Sequence, residues 1–248
     1  MVANARQIAA WTVCAAAFPA LMSTSGCRPS SVRSSTESPA NASQTRSTSA
    51  AAVDRPAGAQ ALRIDPTRTV VTVIVRRAGP LARLGHDHVI TSADEVGTVW
   101  LGATPAESSF ELQLPVDRFA VDLPEARAAA GAEFATPVPD DAREGTRRNM
   151  LRTEVLDAAQ YPAVVIRSVA TAGDWLQANV RVAVVVKGVE REQEIPVAIE
   201  REDGRIAARG SLQLSQTNYG MTPFSVGGGA IQVADTLEIR FEIVADGP

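Results

Sequence analysis

The chain has 248 residues and a formal net charge of −4 at pH 7, and 45% of its residues are hydrophobic. That length allows one domain with a core of substantial size. Arginines are interspersed with acidic residues along the chain, whereas a duplex-binding protein shows a clustered basic face. We therefore expect no nucleic-acid partner.

Residues 1–26 have the pattern of a secretory signal. Arg6 precedes an uncharged stretch, residues 8–22, and small residues follow it. The stretch is shorter than the about 20 apolar residues that a membrane-spanning helix needs, and Pro19 interrupts it. The pattern predicts export, with a retained anchor helix as the alternative.

The segment Thr24-Ser25-Gly26-Cys27 resembles a bacterial lipobox. In that motif the cysteine receives a diacylglyceryl group, which implies a lipid anchor at Cys27 and a location in the cell envelope. Thr24 stands where the motif prefers an aliphatic residue, so ordinary release into the periplasm is the alternative. Cys14, the other cysteine, lies in the predicted signal, so we expect no disulfide and no thiol nucleophile in the mature domain.

Residues 27–60 are expected to be the lipidated cysteine followed by a tether. They are rich in Ser, Thr, Ala, Pro and Arg and have almost no bulky apolar side chains. Burial of such a segment does not offset the entropy of ordering it. The folded domain is then expected at residues 61–248.

Eight segments in this domain alternate apolar and polar residues between turn-rich gaps, as antiparallel strands do. In one of them, Val180, Val182 and Val184 share a face, with Asn179 and Arg181 opposite. The expected strands cover residues 69–77, 88–101 with an interruption, 109–116, 163–170, 175–186, 194–200, 206–214 and 236–244. Since each has one apolar face, we expect an all-β fold in which eight antiparallel strands close into a barrel.

The alternation stops between residues 119 and 162, where we expect a helical excursion. Asp141-Ala142-Arg143-Glu144 has the form of a capping box, and the predicted helix runs to about residue 156. Met150, Leu151 and Val155 are its expected buried stripe. The opposite face is expected to be solvated, or to contact whatever the barrel binds, and it carries Arg143, Arg147, Arg148 and Arg152.

Several local motifs together resemble the YceI-like family. They are Leu156-Asp157-Ala158-Ala159-Gln160-Tyr161-Pro162, Val186-Lys187-Gly188-Val189 with Ile195-Pro196-Val197, and Asn218-Tyr219-Gly220-Met221. The similarity covers about residues 62–245. It implies a lipocalin-like barrel whose lumen holds long apolar molecules such as polyisoprenoids, fatty acids or their amides.

The chain departs from the commonest family pattern at two places. Gln216 stands where many members have arginine, and Gly85-His86-Asp87-His88 is typical of one branch of the family. The spacing of His86 and His88 predicts that both lie on one face of a strand, with Asp87 opposite. Three roles are open for them: hydrogen bonds to a backbone carbonyl and a loop, contact with the polar end of a ligand, or metal binding.

Neither a metal nor a cofactor is expected. No cluster of further ligands accompanies the two histidines in the sequence. No Gly-x-Ser-x-Gly motif is present, and Gly227-Gly228-Gly229 lacks the Lys-Ser/Thr pair of a phosphate loop, so it is expected to be a turn. The chain is therefore expected not to be an enzyme.

We expect an exported, lipid-anchored protein that holds an apolar small molecule or lipid in the barrel lumen. One alternative is a metal-dependent or redox-linked periplasmic protein that uses His86 and His88. Another is an envelope interaction module whose lumen is filled by its own side chains. The sequence assigns no oligomeric state. The expected ligand-binding residues are Val71, Val73, His86, His88, Phe110, Leu112, Val182, Val184 and Phe241.

Overall fold

The computed structural model describes residue 53 and residues 55–247. The predicted signal, Cys27 and most of the predicted tether lie outside these residues. None of the helices in the described part is long and apolar enough to cross a membrane. The strands are β1 (Gln60–Ile64), β2 (Val70–Ala78), β3 (His88–Thr91), β4 (Val96–Leu101), β5 (Ser109–Pro115), β6 (Ala120–Val121), β7 (Ala163–Gly173), β8 (Ala178–Val186), β9 (Val189–Glu202), β10 (Arg205–Ser215), β11 (Ser225–Val226) and β12 (Ile231–Asp246), and the helices are α1 (Pro124–Ala130) and α2 (Asp140–Met150).

Strand β12 closes the sheet into a barrel. One edge of β12 pairs with β10 from Thr236 to Asp246. The other edge pairs first with β2 and then, at Ala245 and Asp246, with β1. β1 and β2 therefore form two halves of one long barrel strand, as β3 and β4 do. With β5, β7, β8, β9, β10 and β12 they make eight antiparallel strands, which confirms the predicted all-β barrel.

The pairing register gives the barrel two distinct ends. At one end, which we call the mouth, β2 ends at Ala78, β8 ends at Val186 and β12 begins at Ile231. The β2–β3 loop, the helical excursion after β5 and the β10–β12 connection all lie there, because the strands that they join meet at that end. At the opposite end, the far end, β1 begins at Gln60 and β12 ends at Asp246.

The first half of β8 shows the predicted alternation. Val180, Val182 and Val184 are buried in the barrel interior, whereas Asn179 and Arg181 are exposed. β-Branched side chains pack well on a pleated surface. They are also short, so eight strands lined with them leave space along the barrel axis.

A second, smaller core lies on the outer face of the β2–β3 hairpin. Ile74, Val89 and Phe134 are fully buried there, and Ala126 and Ala130 of α1 pack against them. The neighbouring residues of the same two strands face the lumen. Helix α1 therefore covers the outside of the barrel at the mouth and leaves the lumen free.

The structure corrects three details of the sequence prediction. Strand β1 was not predicted, and it begins at Gln60, the last residue assigned to the tether. Helix α1 was also not predicted. The predicted capping box is absent, because α2 begins after Pro139 without a side-chain cap. The helix also ends at Met150 rather than near residue 156.

A backbone hydrogen bond ends α2 at Met150. The Leu156 amide donates to the Met150 carbonyl at 3.1 Å, so the chain turns back instead of continuing the helix. Met150 is buried, and Leu151 and Val155 pack against the barrel core as expected. Of the four arginines, Arg143 is half-buried. The other three, Arg147, Arg148 and Arg152, are exposed as predicted for a solvated face.

Candidate functional site

The mouth half of the barrel encloses a cavity of about 380 Å³. β-Strands supply its wall, and residues of α2 and the chain after it cover part of its opening. All the residues expected to bind ligand line this cavity: Val71, Val73, His86, His88, Phe110, Leu112, Val182, Val184 and Phe241. A lumen filled by its own side chains, the second alternative from the sequence, does not match this open space.

The polar lining of the cavity is confined to the mouth. It comes from the end of β2, the start of β3, helix α2 and the β10–β12 connection, whereas the deeper wall is aliphatic and aromatic. The cavity is therefore amphipathic along the barrel axis. The polar lining side chains are Arg77, His86, His88, Thr146, Asn149, Gln216 and Gln232.

A second cavity of about 110 Å³ lies toward the far end. The two cavities share lining residues, among them Phe110, Ile195 and Phe241, which therefore form a partition across the lumen. The ring of Phe241 lies against Gly210, its cross-strand neighbour. A Cβ atom at Gly210 would be 2.6 Å from Cζ of Phe241. Because residue 210 has no side chain, the ring of Phe241 has the space in which it lies.

His88 is the first residue of β3, and its ring lines the cavity. Its Nδ1 atom lies 2.6 Å from Oδ2 of Asp122. A histidine held through one ring nitrogen keeps a defined orientation and has the other nitrogen for a second partner. The Asp122 carboxylate thus leaves Nε2 of His88 for a ligand.

The prediction that both histidines lie on one strand face is wrong for His86. Strand β3 begins only at His88, and His86 lies in the preceding loop with an exposed side chain. The two ring centroids are nevertheless 6.4 Å apart, and both rings line the mouth. Asp87 forms an ion pair with Arg76 at 3.3 Å and accepts from the Arg77 amide at 2.9 Å.

Asp122, which the sequence analysis missed, organises this region. Its side chain is 0% exposed and lies 2.6 Å from the guanidinium of Arg127, which is 7% exposed. Its backbone is left-handed, with φ of 54°, a conformation that Asp tolerates better than most residues. Burial alone would raise the pKa of Asp122, but hydrogen bonds from His88 and the Val89 amide, with Arg127, hold the pKa below its ordinary value.

Arg127 connects Asp122 to the surrounding loops. Its guanidinium donates to the carbonyls of Asp87 at 2.9 Å, Phe134 at 3.0 Å and Thr136 at 3.0 Å. A buried arginine with a carboxylate partner and several carbonyl acceptors is well compensated for its lost hydration. The sequence feature that could have indicated helix α1, which carries Arg127, is Pro124 followed by an alanine-rich segment, because this pattern is typical of a helix start.

Other predicted features at the mouth have defined places. Gln216 is buried and lines the cavity, and its Nε2 atom donates to the Ala234 carbonyl at 2.8 Å. The glycines at residues 227–229 form the turn between β11 and β12, as predicted. In the part of the chain that the structure covers, no group of three or more His, Cys, Asp or Glu side chains is arranged to hold a metal ion.

Comparisons with known proteins bear on this barrel. The sequence pattern described as the YceI-like domain matches residues 62–245. The crystal structure of Burkholderia cenocepacia BcnA is similar with a TM-score of 0.55 at 16% identity, over 73% of this chain and 99% of that one. That of the Campylobacter jejuni YCEI protein is similar with a TM-score of 0.46 at 11% identity, over 64% of this chain and 84% of that one. A search of curated protein sequences finds no match.

Proposed function

The chain belongs to the YceI-like family, and on that premise we propose that it binds a long apolar molecule, an isoprenoid or acyl lipid, in the barrel lumen. The observation that carries this proposal is the apolar cavity of about 380 Å³. Burial of apolar surface stabilises a complex by about 2.5 kcal/mol per 100 Å². A chain that fills the lumen therefore gains enough to exceed the cost of association.

The polar groups at the mouth orient the ligand. Because they occupy only one end of the cavity, the chain of the ligand lies toward the partition and its polar end lies near His88. The ring of His88 is held by Asp122, so its Nε2 atom accepts from a hydroxyl when the ring is neutral and donates to an anionic oxygen when it is protonated. Gln216 adds a neutral polar side chain at the position where many members of the family have the cationic side chain of arginine.

The role in the cell that fits this site is carriage or storage of the ligand at the cell envelope. We retain from the sequence the export signal at residues 1–26, the lipid anchor at Cys27 and the tether that follows. The family has a binding-protein fold and is not a known family of enzymes. Among the alternatives, the metal-dependent or redox role gains no support, because the described residues bring no third His, Cys, Asp or Glu ligand together with His86 and His88 in a group that could hold a metal ion.

The proposal is tested by filling the lumen. Val182 is almost completely buried and lines the cavity, whereas Arg181 beside it on β8 points outward. We expect Val182→Trp to weaken the binding of an anthroyloxy-labelled fatty acid at least tenfold. Arg181→Trp adds the same side chain on the outer face and should bind as the unchanged protein does. Circular dichroism checks that both variants keep the sheet.

Native mass spectrometry of the protein purified from its own envelope supplies a measurement that needs no variant. The proposal predicts a bound lipid that organic extraction removes. Equal binding by the two folded tryptophan variants would contradict a luminal site. Absence of both a retained lipid and probe binding in the unchanged protein would contradict the proposed function itself.

A further inference from the structure

Two loops at the mouth contact each other and line the entrance together. The first, residues 79–87, joins β2 to β3, and the second, residues 222–230, precedes β12. The Leu81 amide donates to the Ala230 carbonyl at 2.8 Å, and a Cβ atom at Gly79 would be only 2.6 Å from the Gly229 carbonyl oxygen. Residues of both loops, among them His86 and Phe224, line the cavity.

The outer surface of these loops exposes large aliphatic side chains. Leu84 is 61% exposed, and Leu81 and Val226 are also exposed. Leu81 and Leu84 lie at either end of one short turn. Val226 is in the hairpin that ends beside Ala230, the residue that Leu81 contacts. We call these three side chains and the loops that carry them the mouth rim.

The unpaired charge of the mouth rim is positive. Residues 79–87 and 222–230 include Arg83 and His86, and their one acidic residue is Asp87. Asp87 is paired with Arg76 and Arg77. Exposed aliphatic side chains beside a basic residue, with the one acid of the loops held in ion pairs, suit a surface that enters the interface of an anionic bilayer.

We propose that the mouth rim docks on an anionic phospholipid surface, with Leu81, Leu84 and Val226 in the interface and Arg83 at the lipid phosphates. Exposed apolar groups at the opening of an apolar cavity assist the transfer of a lipid between membrane and lumen, because the lipid can then pass from one to the other without crossing water. The docking surface itself does not depend on which ligand the lumen takes. It also differs from the anchor at Cys27, which would hold the chain but would not orient the barrel.

The test places an environment-sensitive dye at the mouth rim of the full chain. Cys14→Ala and Cys27→Ser remove the native thiols, and Leu84→Cys accepts an NBD label. With vesicles of phosphatidylglycerol and phosphatidylethanolamine, we expect a blue shift and quenching by spin-labelled lipid. The matched control is Leu176→Cys, also strongly exposed but in the β7–β8 connection at the far end, and its label should not respond. Any adsorption through the N-terminal segment acts on both proteins alike.

A charge variant separates docking on anionic lipid from nonspecific adsorption of the exposed apolar side chains. Arg83→Glu in the Leu84→Cys protein should lower the partition constant for anionic vesicles by roughly fivefold or more, since one basic residue near such a surface contributes about that factor. An NBD label at position 84 that stays silent with vesicles, or one that responds no more than the label at position 176, would overturn the proposal. A response to envelope proteins without a response to vesicles would assign the mouth rim to a protein partner and would overturn it as well.

Discussion

The substitution Asp122→Asn tests whether the buried carboxylate holds the mouth together. Asparagine has the same shape and tolerates the left-handed backbone of this position. It removes the charge that faces Arg127 at 2.6 Å and weakens the acceptor of the His88 ring. Leaving one member of a buried ion pair without its partner costs about 3–5 kcal/mol. We expect the lower end, about 3 kcal/mol, because three backbone carbonyls still accept from Arg127.

The matched control is Asp94→Asn. Asp94 is also left-handed, with φ of 57°, and also pairs with an arginine, Arg118, at 3.4 Å. Its side chain is 66% exposed, and exposed ion pairs contribute about 0–1 kcal/mol. Urea unfolding of both variants and of the unchanged protein, with equal slopes in denaturant, gives the two differences in free energy.

The pH dependence supplies the second readout. Because the pKa of folded Asp122 is lowered, its contribution to stability is fully present above the unfolded value of about 3.9. It is lost as the pH falls through the folded pKa. The gap between the unchanged protein and Asp122→Asn should therefore be largest at neutral pH and should narrow below about pH 4. A loss under about 1 kcal/mol at pH 7, or a gap that does not change in acid, would refute the reasoning.

Three further predictions address the site and the anchor. Cys27→Ser should move the protein from the membrane fraction to the soluble envelope fraction and abolish acyl labelling, and unchanged fractionation would argue against a lipid anchor. Phe241→Ala should open the partition between the cavities of about 380 Å³ and 110 Å³. The affinity for longer fatty acids should then rise relative to that for shorter ones, as measured by probe displacement. An unchanged preference for chain length would contradict a partition at this ring. His88→Gln should weaken a carboxyl-ended probe roughly fivefold to tenfold through one lost hydrogen bond. An alkane-type probe, which is the control, should bind as before; an equal effect on both probes would count against His88 as the orienting group.

The barrel wall could be predicted from the sequence because its signal is local. In β8, Asn179 and Arg181 alternate with apolar residues in the first half of the strand, and the structure buries Val180, Val182 and Val184 as expected. Strand β1 has only two inward apolar residues, Leu62 and Ile64, and forms by pairing with β4 and β12. Such a strand carries too little pattern to be recognised alone.

The network at the mouth could not be predicted because contacts distant in sequence create it. His88 and Asp122 are brought together by the pairing of β3 with the two-residue strand β6, which no periodicity indicates. The start of β3 at His88 likewise depends on its pairing with Val75. The spacing of the two histidines therefore predicted a shared strand face, which is wrong for His86, and did not show which residue holds which ring.

Both ends of the barrel chain lie at the far end, where β1 begins at Gln60 and β12 ends at Asp246. A surface or fusion partner joined through a short N-terminal linker would consequently leave the opening facing outward. For the opening to turn back toward that same surface, the linker must run along the barrel wall. A strand of the length of β12 spans roughly 50 Å, so a linker needs at least about 15 extended residues. Stepwise shortening of residues 28–59 would therefore measure the required linker length. Lipid transfer should stop abruptly at the length where the barrel can no longer turn its mouth toward the surface that holds the linker.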